Sequence, residues 1–205
     1  MRKRGRPFDS ERTEDNKQKI IDTAVELIKK RGADYLTVRN VCAAADVATG
    51  TFYHYFKNKD DLLMYFVRDI SFGDCELTTP LTDIAGRIYE LYMNLIERYM
   101  SLGKDFMKSF YTTDNKALSA YMSEADGKFA EGTVMARSET EMTAALENGI
   151  IKEGTDIHAV CADICTIVKG CVFEWCLSDG DMDIKNTVRR IVERYLHGIT
   201  VSSCY

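Results

Sequence analysis

The ten residues Gly50–Lys59, GTFYHYFKNK, hold four aromatic rings, a histidine and two lysines. Phe52 and Phe56 are four positions apart, so on a helix they share one face and pack inward. Tyr53 and Tyr55 then project elsewhere, where their hydroxyls can donate to phosphate oxygens. Lys57 and Lys59 offer cations to the same phosphates, and His54 either reaches that backbone or sits at the surface. Gly50 permits close approach of another backbone, and Thr49 and Thr51 present short polar side chains suited to base edges. An internal aromatic cluster would account for the rings. It would not require the threonines and lysines.

Two further constellations lie downstream. Between Leu81 and Met142 fall five tyrosines and six methionines, including Tyr92, Met93, Tyr99 and Met122, with Phe106, Phe110 and Tyr111 among them. Methionine adapts its shape and tyrosine carries a polar tip, a mixture suited to an adaptable, largely apolar ligand pocket; ordinary core packing uses the same residues. Trp175 and Glu174 sit in the apolar run CVFEWCL, where Glu174 could meet a cationic ligand or a neighbouring basic residue. His158, Cys161 and Cys165 are spaced i, i+3, i+7 on one helical face. That spacing suits a soft metal ion, a thiol switch with Cys171 or Cys176, or simple packing. Packing is the expectation, because no Cys-x-x-Cys pair is present.

Helices must position these groups. The chain has 205 residues, only two prolines and no sustained strand alternation, and helical periodicity recurs along it. The expected first helix runs from Glu14 to Arg31, with Ile20, Ile21, Ala24, Val25 and Ile28 on one face and Gly32 as its stop. Thr37 caps a second helix, and a break at Asp46–Val47 leads to a third over Ala48–Tyr55. Asn58 caps a fourth, running to about Phe72, with Asp60 and Asp61 favouring its dipole. Thr79–Pro80 reads as the start of the next helix. Further helices are expected at about 80–101, 104–112, 116–149 (broken near Gly127 or Gly132), 156–177 and 183–199.

The net charge of −5 divides unevenly. Residues 1–60 carry +4 and residues 61–205 carry −9, a basic head on an acidic body, as a polyanion-binding protein would have. No apolar run approaches the roughly 18 residues of a membrane helix. The odd count of seven cysteines, with no apolar leader after the basic N-terminus, points to reduced thiols and a cytoplasmic location.

Two short helices joined by a tight turn describe a helix-turn-helix. The segment Leu36–Leu63, LTVRNVCAAADVATGTFYHYFKNKDDLL, resembles the DNA-binding signature of the tetracycline-repressor (TetR) family, densely over residues 14–66. Asp46 stands where that family commonly has glycine, and Thr49 where lysine is frequent. The resemblance implies phosphate contacts from Thr37, Tyr53, Tyr55 and Lys59, and a major-groove face made of Arg39, Thr49, Gly50 and Thr51. Arg4 and Arg6 flank a glycine in a basic arm that suits a narrow minor groove.

The expected architecture is therefore all-α, with a basic arm over 1–13, a helix-turn-helix domain over 14–60, a ligand-binding and dimerisation domain over 61–205, and a connecting helix at 58–72. The last two helices look like the family's dimerisation pair, with small residues Ala159, Ala162 and Gly170 and an apolar stripe Ile184, Val188, Ile191, Val192, Tyr195. The expected partners are double-stranded, near-palindromic operator DNA, a small apolar effector and a second copy of the chain, with no cofactor and no membrane. The expected function is a ligand-released repressor. Its rivals are a metal or redox sensor using His158 and the cysteines, and an enzyme in the Tyr/Cys-rich body, for which no nucleophile–base–orienter set is visible.

Overall fold

The computed structural model describes residues 10–68, 72, 73, 75–101, 103–111, 116–121, 124 and 126–201. Ten α-helices occur among them: α1 (Ser10–Arg31), α2 (Val38–Ala44), α3 (Thr49–Tyr55), α4 (Lys59–Arg68), α5 (Ile84–Met100), α6 (Lys104–Phe110), α7 (Lys116–Tyr121), α8 (Val134–Glu147), α9 (Ile157–Leu177) and α10 (Ile184–His197). The all-α expectation holds among these residues. None of the helices is long and apolar enough to cross a membrane.

The head is punctuated as the sequence predicts. Gly32 ends α1 at φ +79°, donating its N–H to Ile28 O at 2.9 Å. Thr37 caps α2, its hydroxyl accepting from Asn40 N at 3.1 Å. Asp46 takes the left-handed turn at φ +50°, a conformation that Asp tolerates better than most residues. Asn58 caps α4 by accepting from Asp61 N at 2.8 Å, while Asp61 accepts from Lys57 N at 3.0 Å. Ile20, Ile21, Ala24 and Ile28 of α1 are buried with Val41 and Cys42 of α2 and Phe52 and Phe56 of α3.

Two expected boundaries change. Helix α1 begins at Ser10, four residues before Glu14. The fifth helix starts at Ile84 and not at Pro80. Asp83 caps it, its carboxylate accepting from Gly86 N at 2.9 Å, and Pro80 lies in the turn before it, its carbonyl accepting from Asp83 N at 3.0 Å. The stretch over 116–149, expected to break near Gly127 or Gly132, is two helices, α7 and α8, with positive φ at Asp126, Gly127 and Gly132 between them. Thr133 caps α8. The helix expected to reach Phe72 is described as far as Arg68; residues 69–71 lie outside the described set, and Phe72 is in a bend, fully buried.

The body packs α5 against α8 and α10, α9 against α8 and α10, and α6 against α5 and α9. A strap, residues 72, 73 and 75–83, lies against the body. Arg87 and Arg137 converge on Glu141, at 2.6 and 2.8 Å. Arg87 also donates to Thr79 O and Arg137 to Gly73 O. Glu90 accepts from Thr78 N, Thr78 Oγ1 and Thr79 N, each at 2.8 Å. Partial burial raises the Glu90 carboxyl, but these donors outweigh it and hold the group at about 2. Thr79 is thus bound back onto α5 and does not open it.

Candidate nucleic-acid interface and effector core

Successive residues of a helix advance by about 100°, so α3 has three kinds of position. Phe52 and Phe56 point inward, fully buried, their rings 5.5 Å apart. Directly opposite stand Gly50 and His54, both exposed. Thr49 and Tyr53 flank them on one side, Thr51 and Tyr55 on the other. Tyr53 is 57% exposed, resting edge-on against Phe52; Tyr55 is half-buried and meets His54 edge-on at 4.8 Å. A methyl group added at Gly50 would meet no protein atom within 4 Å. Among the described residues nothing fills the space beside Gly50, so that position of α3 is open to solvent.

Thr37 and Arg39, at the start of α2, are exposed, and Lys59 opens α4 half-buried. The fold gathers Thr37, Arg39, Thr49, Gly50, Thr51, Tyr53, His54, Tyr55 and Lys59 onto the helix-turn-helix and its flank. Arg4 and Arg6 lie outside the described residues. The sequence left His54 open between two roles; its place at the middle of the outward face is a product of the helical phase relative to Phe52 and Phe56.

The expected effector residues divide. Phe106 and Phe110 are buried on α6, stacked at 5.6 Å, and Tyr111 meets Phe110 edge-on at 5.4 Å. Tyr92 is 1% exposed, and its hydroxyl makes no hydrogen bond. Around it lie Cys161 and Cys165 of α9 and Ser138 of α8, close enough to act on the phenol but outside hydrogen-bond geometry. Burial pushes the Tyr92 and Tyr111 phenols well up, and Cys165 faces both. Trp175 is buried beside Gly180. Met93, next to Tyr92 on α5, is buried in the core and also borders a polar surface cleft of about 280 Å³ with Glu90, Glu97, Lys185 and Arg189. Met122 and the Tyr99 side chain lie outside the described residues.

Glu174 is exposed beside Phe173, not turned into the core. His158 is held by Glu139 at 2.8 Å and Glu124 at 3.3 Å, stacked on Phe129 at 4.3 Å. The Glu139 hydrogen bond, then that of Glu124, raises the imidazole above its ordinary value. Cys161 and Cys165 are buried, and burial raises both thiols, Cys161 to about 12. Such thiols are poor nucleophiles. Among the described residues no group of three His, Cys, Asp or Glu is placed to hold a metal ion. The apolar stripe of α10 turns inward: Ile184, Val188, Val192 and Leu196 are buried against α5 and α9.

Sequence reasoning missed the Arg87–Glu141–Arg137 junction. Its signal was a lone arginine in the otherwise apolar first turns of α5.

Residues 20–65 match the family model described as bacterial regulatory proteins, tetR family. Over 194 residues, 88% of this chain and 93% of the relative, the sequence is 25% identical to the fatty acid metabolism regulator protein of Bacillus subtilis. Among solved structures, FadR of Thermus thermophilus, a TetR-family transcriptional repressor in complex with lauroyl-CoA, superposes with a TM-score of 0.61 at 16% identity, covering 92% of this chain and 97% of that one. RolR in complex with resorcinol superposes with a TM-score of 0.58 at 20% identity, covering 95% and 92%.

Proposed function

We propose that the chain is a member of the TetR family of DNA-binding transcription regulators, and that it is a dimeric repressor released from its operator by a long-chain acyl effector. Regulators of this family bind operator DNA and small-molecule effectors and act as dimers, and its relatives are regulators and not enzymes. The observation that carries the acyl reading is the similarity to a fatty acid metabolism regulator along almost its whole length. The stacked phenylalanines of α6 and the buried Tyr92 supply an interior of the right character.

In this reading residues 14–60 serve DNA and residues 61–205 serve effector and partner, joined through α4. Thr37, Tyr53, Tyr55 and Lys59 take phosphates; Arg39, Thr49, Gly50, Thr51 and His54 face the major groove; Arg4 and Arg6 enter the minor groove. The exposed line Ala159, Asp163, Thr166, Gly170, Phe173, Leu177 along α9 forms the dimer seam, its small residues allowing close approach and its two large apolar ones anchoring the end.

Coupling runs through α6 and α4. Helix α6 buries Phe106, Met107 and Phe110 in the body while packing on the Ala33–Tyr35 turn of the head, and α4 packs on α7. An effector that spreads the body shifts these contacts and the spacing of the two heads. Linkage then makes DNA weaken effector binding by the same factor.

The test is fluorescence anisotropy on a duplex from the DNA flanking the coding sequence. Micromolar lauroyl-CoA should dissociate the complex, and laurate-free coenzyme A should not. Release by metal ions or oxidants alone would replace this reading with a sensor.

A further inference from the structure

The Tyr92 hydroxyl is a strong donor, nine-tenths or more buried and without a partner. Such a group destabilises a core unless something accepts from it. The groups around it come from three helices and are neutral. Ser138 donates to Val134 O at 2.8 Å, and its oxygen lies outside hydrogen-bond geometry with the phenol. Cys161 lies against Met142 Sδ at 3.7 Å, and Cys165 stands one turn further along α9. Charges act on this nest only from its rim. Glu139, acting on Cys161, is occupied by His158; Lys169, acting on Cys165, is half-buried one turn along α9. Arg87 and Arg137 are tied to Glu141 and to the strap.

A site with one unspent strong donor and, among the described residues, no enclosed cation suits a neutral acceptor. A carboxylate brought there would be desolvated with too few donors and no counter-charge. A carbonyl oxygen in ester or thioester linkage carries no such charge and needs one donor.

We propose that Tyr92 donates its hydroxyl to the acyl carbonyl of the effector, so that the regulator responds to esterified acyl chains in preference to the free acids. The proposal rests on the acyl reading above and adds the recognition of the head of the chain. Tyr92 is thereby a specificity-determining residue, and its unpartnered hydroxyl is the feature that the ligand completes.

The experiment uses the full-length, delipidated protein, wild type and Tyr92→Phe, titrated with lauroyl-CoA, methyl laurate and laurate, followed by the fluorescence of Trp175, the single tryptophan of the chain. Wild type should bind methyl laurate more tightly than laurate at neutral pH. Tyr92→Phe should weaken methyl laurate and lauroyl-CoA by about fivefold, the worth of one net hydrogen bond, and leave laurate unchanged. Without ligand the variant should melt higher than wild type, because an unpaired buried hydroxyl is gone. Unchanged ester affinity, equal weakening of all three probes, or a variant that melts lower would overturn the proposal while leaving the acyl reading in place. If wild type binds none of the probes, the acyl reading itself fails and takes the proposal with it.

Discussion

Tyr53 and Tyr92 are the same residue put to opposite uses. Tyr53 is 57% exposed on the outer face of α3; Tyr92 is 1% exposed at the meeting of α5, α8 and α9. The head displays its polar groups on a short, locally specified frame, whereas the body hides its own among helices far apart in sequence. Function on a displayed surface leaves a mark in residue type, because lysines, threonines and a bare glycine are not what a core would choose. Function inside a body leaves almost none, because a ligand's lining and a protein's core are built from the same methionines and aromatics.

The strongest way to break this contrast is Phe52→Ala. The ring is fully buried, and removing it should cost about 3–5 kcal/mol. DNA binding should disappear while the amides of α5, α8 and α9 keep their hydrogen-exchange protection. Loss of protection throughout would show that head and body share one cooperative unit, and the contrast would fall. A smaller effect sharpens the displayed side. Lys59→Ala should weaken operator and scrambled duplexes by similar factors and reduce the slope of log affinity against log salt by about 1 for each phosphate left without its lysine. Tyr53→Phe should cost on the order of 1 kcal/mol per hydrogen bond removed and keep the fold. An unchanged salt slope for Lys59→Ala would place a different edge of the head on DNA.

The smallest effect belongs to His158, at the margin of the body. Its folded-state value is raised by Glu139 and then Glu124. The stability it contributes is therefore fully present below the unfolded value, about 6.5, and lost as pH rises through the folded one. Denaturation midpoints at about pH 6 and pH 8 should differ more for wild type than for His158→Gln. The difference should be modest, because the ring is partly exposed and its ion pairs are screened. Equal pH dependence in both proteins would mean that neither glutamate holds the ring in solution.

The head was legible because its signals act over a few residues. Thr37 reaches Asn40, Asn58 reaches Asp61, and Asp46 needs only its own backbone freedom. Pro80 misled for a related reason. Two capping signals compete there, Thr79 and Asp83, and Arg87 and Glu90 decide between them by binding the strap back onto α5. That decision requires the helix to exist first.

Sequence alone determined that this is an all-α chain with a basic, helix-turn-helix head, since periodicity, caps and charge are properties of neighbouring residues. It also singled out α3 as the helix proposed to meet a polyanion. Tertiary structure alone decided that the apolar stripe of α10 faces its own chain, that Glu141 gathers two arginines onto the strap, and that the Tyr92 hydroxyl stands unpartnered among Ser138, Cys161 and Cys165. Each of these joins side chains from separate helices, and burial between them is fixed by how helices pack, which no local pattern records.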